Sequence, residues 1–316
     1  FAQCAETSEA DFKAFCGRLV PLPEQYGDVR DSIAYLLWQN RRLLPDGGAA
    51  IVGNRALSPD TDARLQAIAS LAFTDPDEAV GLILALAPAE PPIQAIAVLR
   101  LLDGGLLARA SRETVYRLFN ALNASARRWL EGRSTADGRR IFYAYRYETG
   151  IERPGTFGAD DGPISSPDLY AYFALTCEAL SRLADLVLDG GEVNKWRERS
   201  QSYLALLTSE LWDGEKFVGI NAYTGEKTGG DPLLSFMPLV LGGRLPAGIV
   251  DKLAADIDGK ALRSAMGTLA IIGLYDAGRG ELAARLAAEA LEDARANGVE
   301  CPFYGAALLE LAAKVL

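Results

Sequence analysis

Apolar residues recur along this chain with a spacing near 3.6 almost from end to end, the signature of helices that each bury one stripe. The pattern predicts helices at about 7–17, 27–43, 60–72, 76–87, 92–103, 112–131, 167–188, 192–211, 232–241, 246–257, 262–276, 279–296 and 303–316. Short Gly, Pro or Asp turns join them, as in antiparallel pairs. Ser166-Pro167-Asp168 reads as an N-cap and first turn, and Asp189-Gly190-Gly191 stops the helix that it opens.

One stretch breaks the helical period. Ile141-Phe-Tyr-Ala-Tyr-Arg-Tyr147 alternates like a short strand, and an acidic Gly/Pro loop follows that holds Glu148, Glu152, Asp160 and Asp161. Further on, Trp212-Asp213-Gly214 turns into Lys216-Phe-Val-Gly219, and Tyr223-Thr-Gly225 closes a hairpin. Helical hairpins with one small β-hairpin insertion suit an all-α, closed toroid of inner and outer helices better than a four-helix bundle. No repeat of fixed period supports an open solenoid. No low-complexity or like-charge block divides the chain, so residues 1–316 are expected to form a single domain.

With 316 residues, 49% of them hydrophobic, the chain can bury a large core. Its net charge of −10 argues against a nucleic-acid partner, which needs clustered Lys and Arg. The longest apolar run, 79–88, falls far short of the roughly 20 residues that span a bilayer, so no membrane partner is expected. Cys4, Cys16, Cys177 and Cys301 show no CxxC spacing. Reduced thiols and a cytoplasmic location are the expectation.

The chain has no histidine, which removes whole mechanisms: Ser-His-Asp and Cys-His nucleophiles, HExxH zinc sites and histidine acid/base chemistry. No dinucleotide or Walker phosphate loop is present either, and neither cofactor nor metal is called for. Carboxylates, Tyr, Lys and Arg remain. Paired carboxylates running acid/base chemistry make a glycosidase the natural surviving enzyme class.

Four stretches resemble the (α/α)6-barrel glycoside hydrolases of the glucosidase, trehalase and mannosylglycerate hydrolase group. Ala89-Glu-Pro-Pro-Ile-Gln94 resembles the Gln-Pro-Pro turn that opens a barrel helix there, preceded by a helix start like Asp75-Pro-Asp-Glu-Ala79. Glu148-Thr-Gly-Ile-Glu152 resembles the Glu-Ser-Gly-Trp-Asp motif whose last carboxylate is the general acid. Pro167-Asp168-Leu169 through Trp212-Asp213 resembles the Asp-Leu-Asn helix, the next helix ending in Leu-Trp-Asp, and its hairpin. Gly298-Val-Glu300-Cys-Pro-Phe303 resembles the region of the catalytic base.

The resemblance implies a cup at one end of the barrel, Glu152 as general acid, Glu300 as general base and a small carbohydrate as substrate. Asp160 or Asp161 is the reserve catalytic carboxylate. Glu148, Gln94, Tyr145 and Tyr147 are expected to contact the sugar. The chain also departs from the family pattern: Glu152 stands where Asp is usual, Tyr170 where Asn is usual, and only Cys301 and Pro302 separate Glu300 from Phe303.

Each residue carries a plainer reading beside the functional one. Glu152 and its acidic neighbours could form a solvated loop, and Glu300 could answer a helix dipole. The alternating Tyr143, Tyr145 and Tyr147 could pack a strand on helices instead of lying under a sugar ring. Trp129, Trp196 and Trp212 read as structural. The functional expectation is inverting hydrolysis of a small α-linked glycoside. The alternatives are a non-catalytic barrel that binds a glycan or protein, and a lyase with a Tyr base and Arg146 or Arg153 beside it.

Overall fold

The computed structural model describes residues 2–43, 49–53, 63–85, 92–149, 157, 162–187, 190–257 and 262–316. Its helices are α1 (Ala2–Cys16), α2 (Gly27–Gln39), α3 (Ala63–Ser70), α4 (Pro76–Leu84), α5 (Gln94–Asp103), α6 (Arg112–Gly132) and α7 (Pro167–Val187) in the first part of the chain. They continue as α8 (Gly190–Glu210), the short α9 (Pro232–Phe236), α10 (Ala247–Ala255), α11 (Ala265–Asp276), α12 (Gly280–Asn297) and α13 (Pro302–Val315). A 3-10 segment, Met237–Arg244, extends α9.

Capping chemistry sets several starts. The Asp75 carboxylate accepts from the backbone N–H of Asp77 and Glu78, with Pro76 at the first turn of α4. Ser111 caps α6 and Ser264 caps α11 in the same way.

Two kinds of helix alternate. In α7, 17 of 21 residues are buried, and α11 and α13 are buried nearly all round. In α12 the buried residues are Ala283, Leu286, Ala287, Ala290, Leu291 and Ala294, one stripe at helical spacing. A helix buried on every side belongs to an inner layer, and one with a single stripe to an outer layer.

The contacts follow that division. Inner elements close a ring in which each touches the next: α3, α5, α7, the 3-10 segment, α11, α13 and back to α3. Among the outer helices, α4 packs on α3 and α5, α6 and α8 on α7, α12 on α11 and α13, and α2 on α13. This is the (α/α)6 toroid.

Inner packing is close enough to dictate residue identity. A Cβ on Gly273 of α11 would lie 1.8 Å from the Leu239 carbonyl oxygen of the 3-10 segment, so only glycine lets the two backbones meet.

Strand structure is confined to two small sheets among the described residues. One pairs β1 (Arg41–Leu43) with β2 (Ala49–Ile51). The helix expected over 27–43 therefore ends at Gln39, and Asn40 turns its side-chain amide back to the Leu36 carbonyl. The other is antiparallel, in the order β3 (Ile164–Ser165), β4 (Gly219–Asn221), β5 (Lys227–Thr228), with β4 and β5 forming the expected hairpin.

The strand expected over 141–147 is cut short. Ile141 and Tyr143 make single bridges to Ser134 and Ile164, and Arg146–Thr149 is a 3-10 turn. The cause is local: the Glu148 carboxylate takes the N–H groups of Ala144 and Tyr145 that a ladder would have used. No helix among the described residues is long and apolar enough to cross a membrane. Cys16, Cys177 and Cys301 are free thiols.

Candidate active site

The two ends of the ring differ. At the C-terminal ends of the inner elements a charged network fills the floor. Arg100 of α5 donates to Asp276 of α11 at 2.7 Å and lies 3.3 Å from Glu310 of α13. Lys314 of α13 reaches Asp276 at 2.9 Å. Arg182 of α7 pairs with Asp103 at the end of α5. Because the C-termini of α5, α7, α11 and α13 meet at this end, their N-termini gather at the opposite end, the mouth.

The mouth holds the described residues that lead into inner helices, including 162–166 before α7 and 298–301 before α13. In the ring order α7 and α13 stand three places apart, on opposite sides of the axis.

At the α7 side of the mouth sits a buried polar group. Asp168, in the first turn of α7, is 1% exposed. It accepts a hydrogen bond from the Tyr143 hydroxyl at 2.9 Å and another from the Ser166 hydroxyl. Burial pushes the Asp168 carboxyl up to about 6, against the pull of those two hydroxyls and of the backbone N–H groups of the helix start. The Tyr143 and Tyr172 hydroxyls are in turn held well above their ordinary range, by burial first and by the Asp168 charge second. The sequence motif had marked Asp168 as part of a helix start and not as a site residue. An acid placed directly after Pro167 and before the apolar run Leu169–Leu175 was the available signal.

Aromatic packing extends this group outward. The Tyr143 ring meets Trp129 edge-on at 5.6 Å and stacks on Phe157 at 6.1 Å with 26° between planes. Phe157 is 2% exposed and is the one described residue within 150–161.

Glu148 is pinned beside it. Its Oε1 accepts from Arg133 Nε and Nη2 at 2.9 and 2.7 Å, and its Oε2 from the backbone N–H of Ala144 at 2.6 Å and of Tyr145 at 3.3 Å. Both oxygens are thus engaged within the protein, and the carboxylate clips the turn after Tyr143.

The other predicted residues fall as follows. Glu300 lies exposed two residues before α13. Tyr145 is 62% exposed. Gln94 is the buried first residue of α5 and lines a small cavity with Ile83 of α4 and Leu118, Leu122 and Ser125 of α6, between the ring and its outer layer. Tyr147 lies in the 3-10 turn, and its side chain falls outside the described residues, as do Glu152, Asp160 and Asp161 altogether.

A cavity of about 90 Å³ opens beside Phe157, Ser166 and Pro167, with Lys216, Gly219, Thr228 and Asp231 of the hairpin region on its other wall. Among the described residues no group of three or more His, Cys, Asp or Glu is placed to hold a metal ion.

Residues 87–271, more than half of the chain, match the family described as the mannosylglycerate hydrolase MGH1-like glycoside hydrolase domain. The fold is shared with solved structures of low identity. The GH63 mannosylglycerate hydrolase from Thermus thermophilus in complex with glucose superposes with a TM-score of 0.67 at 18% identity, over 92% of this chain and 99% of that one. The same enzyme in complex with Tris and D-glycerate gives 0.68 at 17%, over 90% and 99%. The neutral trehalase of Saccharomyces cerevisiae gives 0.58 at 14%, over 86% and 76%. No curated protein matches the chain in sequence. The family match establishes that the chain belongs to this glycoside hydrolase family.

Proposed function

We propose that this family member hydrolyses a small α-linked glycoside with inversion, using Glu152 as general acid and Glu300 as general base. The observation that carries the reading is the ring order: α7 and α13 stand on opposite sides of the axis, and in the sequence Glu152 and Glu300 precede these two helices. Inversion needs the two carboxyl groups about 6.5–9.5 Å apart, so that a water fits between base and sugar.

In this mechanism protonated Glu152 gives its proton to the glycosidic oxygen as the C–O bond breaks. The charge on the sugar develops as an oxocarbenium-like state, while the Glu300 carboxylate takes a proton from the water that attacks from the opposite face. Solvent then returns a proton to Glu152 and removes one from Glu300. Asp160 and Asp161 are the reserve acids on the same segment. Exposed Tyr145 offers an aromatic face at the mouth.

The test is hydrolysis of α-glucosides, trehalose, glucosylglycerate and mannosylglycerate by the wild type, Glu152→Gln and Glu300→Gln. Activity that falls about 10²–10⁴-fold in each variant supports the assignment. The two-residue spacing between Glu300 and Phe303 favours a second reading, a glycan-binding barrel without catalysis, and a wild type silent on every substrate would select it.

A further inference from the structure

A cavity of about 400 Å³ opens in the seam between α7, α8 and the end of the 3-10 segment, away from the mouth. Its first residue on α7, Glu178, lies eleven positions beyond Pro167, about 16 Å along the helix axis toward the floor. The volume falls within the range of about 300–1,000 Å³ typical of small-molecule sites.

Three guanidinium groups line the cavity, Arg182, Arg197 and Arg244, against two carboxylates, Glu178 and Asp185. Arg244 is fully engaged: its Nε and Nη2 both donate to Glu178, and its Nη1 to the Leu241 carbonyl. Among the described residues Arg182 donates through Nη1 alone, to Asp103, and Arg197 through Nη1 alone, to the neutral side chain of Asn194. Each therefore keeps open its Nε–Nη2 edge, the edge with which Arg244 holds both oxygens of Glu178. Asp185 and Gln201 have no hydrogen-bond or ion-pair partner among the described residues, and Val193 and Leu204 form an apolar wall.

We infer that this cavity binds a phosphorylated monosaccharide. Its phosphoryl group meets the open edges of Arg182 and Arg197, each able to hold two phosphate oxygens. Asp185 and Gln201 take ring hydroxyls, and Leu204 and Val193 take the apolar face of the ring.

The lining selects this class over its two halves. A neutral sugar would leave both guanidinium edges without an anion. Bare phosphate would set an unpaired carboxylate, Asp185, in the same cavity with nothing to accept from, whereas a sugar phosphate offers it hydroxyl donors. The chain carries a net charge of −10 and repels anions at large, so a site for one must supply its own cations. None of these residues takes part in the proposed hydrolysis, and the site stands whether or not Glu152 is the acid.

The experiment is calorimetric titration of the full chain with glucose 6-phosphate, with glucose and inorganic phosphate as separate probes. One site is expected, with glucose 6-phosphate bound at least about tenfold more tightly than either probe. Arg197→Ala should weaken it about 10–100-fold, the effect of losing a charge-assisted pair of hydrogen bonds. Its one described contact is within α8, so the variant should melt with the wild type in the absence of ligand. Asp185→Asn should weaken glucose 6-phosphate and leave inorganic phosphate bound no less tightly. Lys195→Ala, whose ammonium pairs with Glu192 and does not line the cavity, should bind as wild type.

Absence of binding, binding undiminished in Arg197→Ala, or an equal affinity for glucose or for inorganic phosphate would each overturn the inference. So would an equal loss in Lys195→Ala, which would mean attraction to surface charge in general.

Discussion

Arg100 and Asp276 meet at 2.7 Å across the floor of the ring, although their helices, α5 and α11, stand three places apart in it. The contact makes the floor a shared structure of opposite walls. Glu310 and Lys314 of α13 join it, so three inner helices end in one network.

Replacing Arg100 with Met should therefore destabilise the whole ring. The Asp276 carboxyl is lowered: burial would raise it, and Arg100 and Lys314 outweigh that. Burial raises Glu310, against the same two cations. Without Arg100 two partly or fully buried acids share Lys314, at a cost of about 2–4 kcal/mol. Urea unfolding at pH 7 should show a lower midpoint in a single transition, since the chain is proposed to fold as one unit. An unchanged midpoint would mean that the network is ornamental. The Asp276 contribution is present at neutral pH and is lost as pH falls through its lowered pKa.

Asp168 predicts the opposite pH trend. Its carboxyl is raised from 3.8 to about 6, so the folded state holds a proton that the unfolded chain releases. The associated stability is complete below about 4 and is lost as pH rises through about 6. The shift corresponds to about 3 kcal/mol. Asp168→Asn removes the titration, so its stability relative to wild type should rise by about that amount between pH 4 and pH 7. Parallel stability curves for the two proteins would refute this.

Gly273→Ala reverses the usual propensity argument. In an exposed helix the change stabilises by about 1 kcal/mol. Here the new methyl would sit 1.8 Å from the Leu239 carbonyl oxygen and 2.5 Å from its carbon. Backbone cannot yield as a flexible side chain can, so the ring must open between α11 and the 3-10 segment, at about 3 kcal/mol or more. A folded variant of wild-type stability would contradict the close approach.

The helices were legible in sequence because their buried faces write a period near 3.6, whereas the division into inner and outer layers came only with the burial of α7 and α11 on nearly every side. The toroid followed from hairpin order. The floor network was not legible, because Arg100 and Asp276 lie 176 positions apart and each alone reads as a charge near a helix end. The alternation over 141–147 misled for a different reason. A side chain four residues beyond Ala144 captured its backbone N–H, and no period records that. Asp168 was read as part of a helix start, which it is, but the Ser166 hydroxyl beside it bonds the Asp168 carboxylate. The pairing of Glu152 with Glu300 came from the motif resemblance alone; Glu152 lies outside the described residues, and residue spacing offers no way to pair positions 148 apart.

The most direct test of the central claim is the anomer released in the first turnovers from an α-glycoside accepted by the wild type, followed by proton NMR before mutarotation. Two carboxylates acting as acid and base across the mouth, with water between base and sugar, predict the β-anomer as first product and its loss in Glu152→Gln. Release of the α-anomer first, or an undiminished rate in Glu152→Gln, would contradict the account.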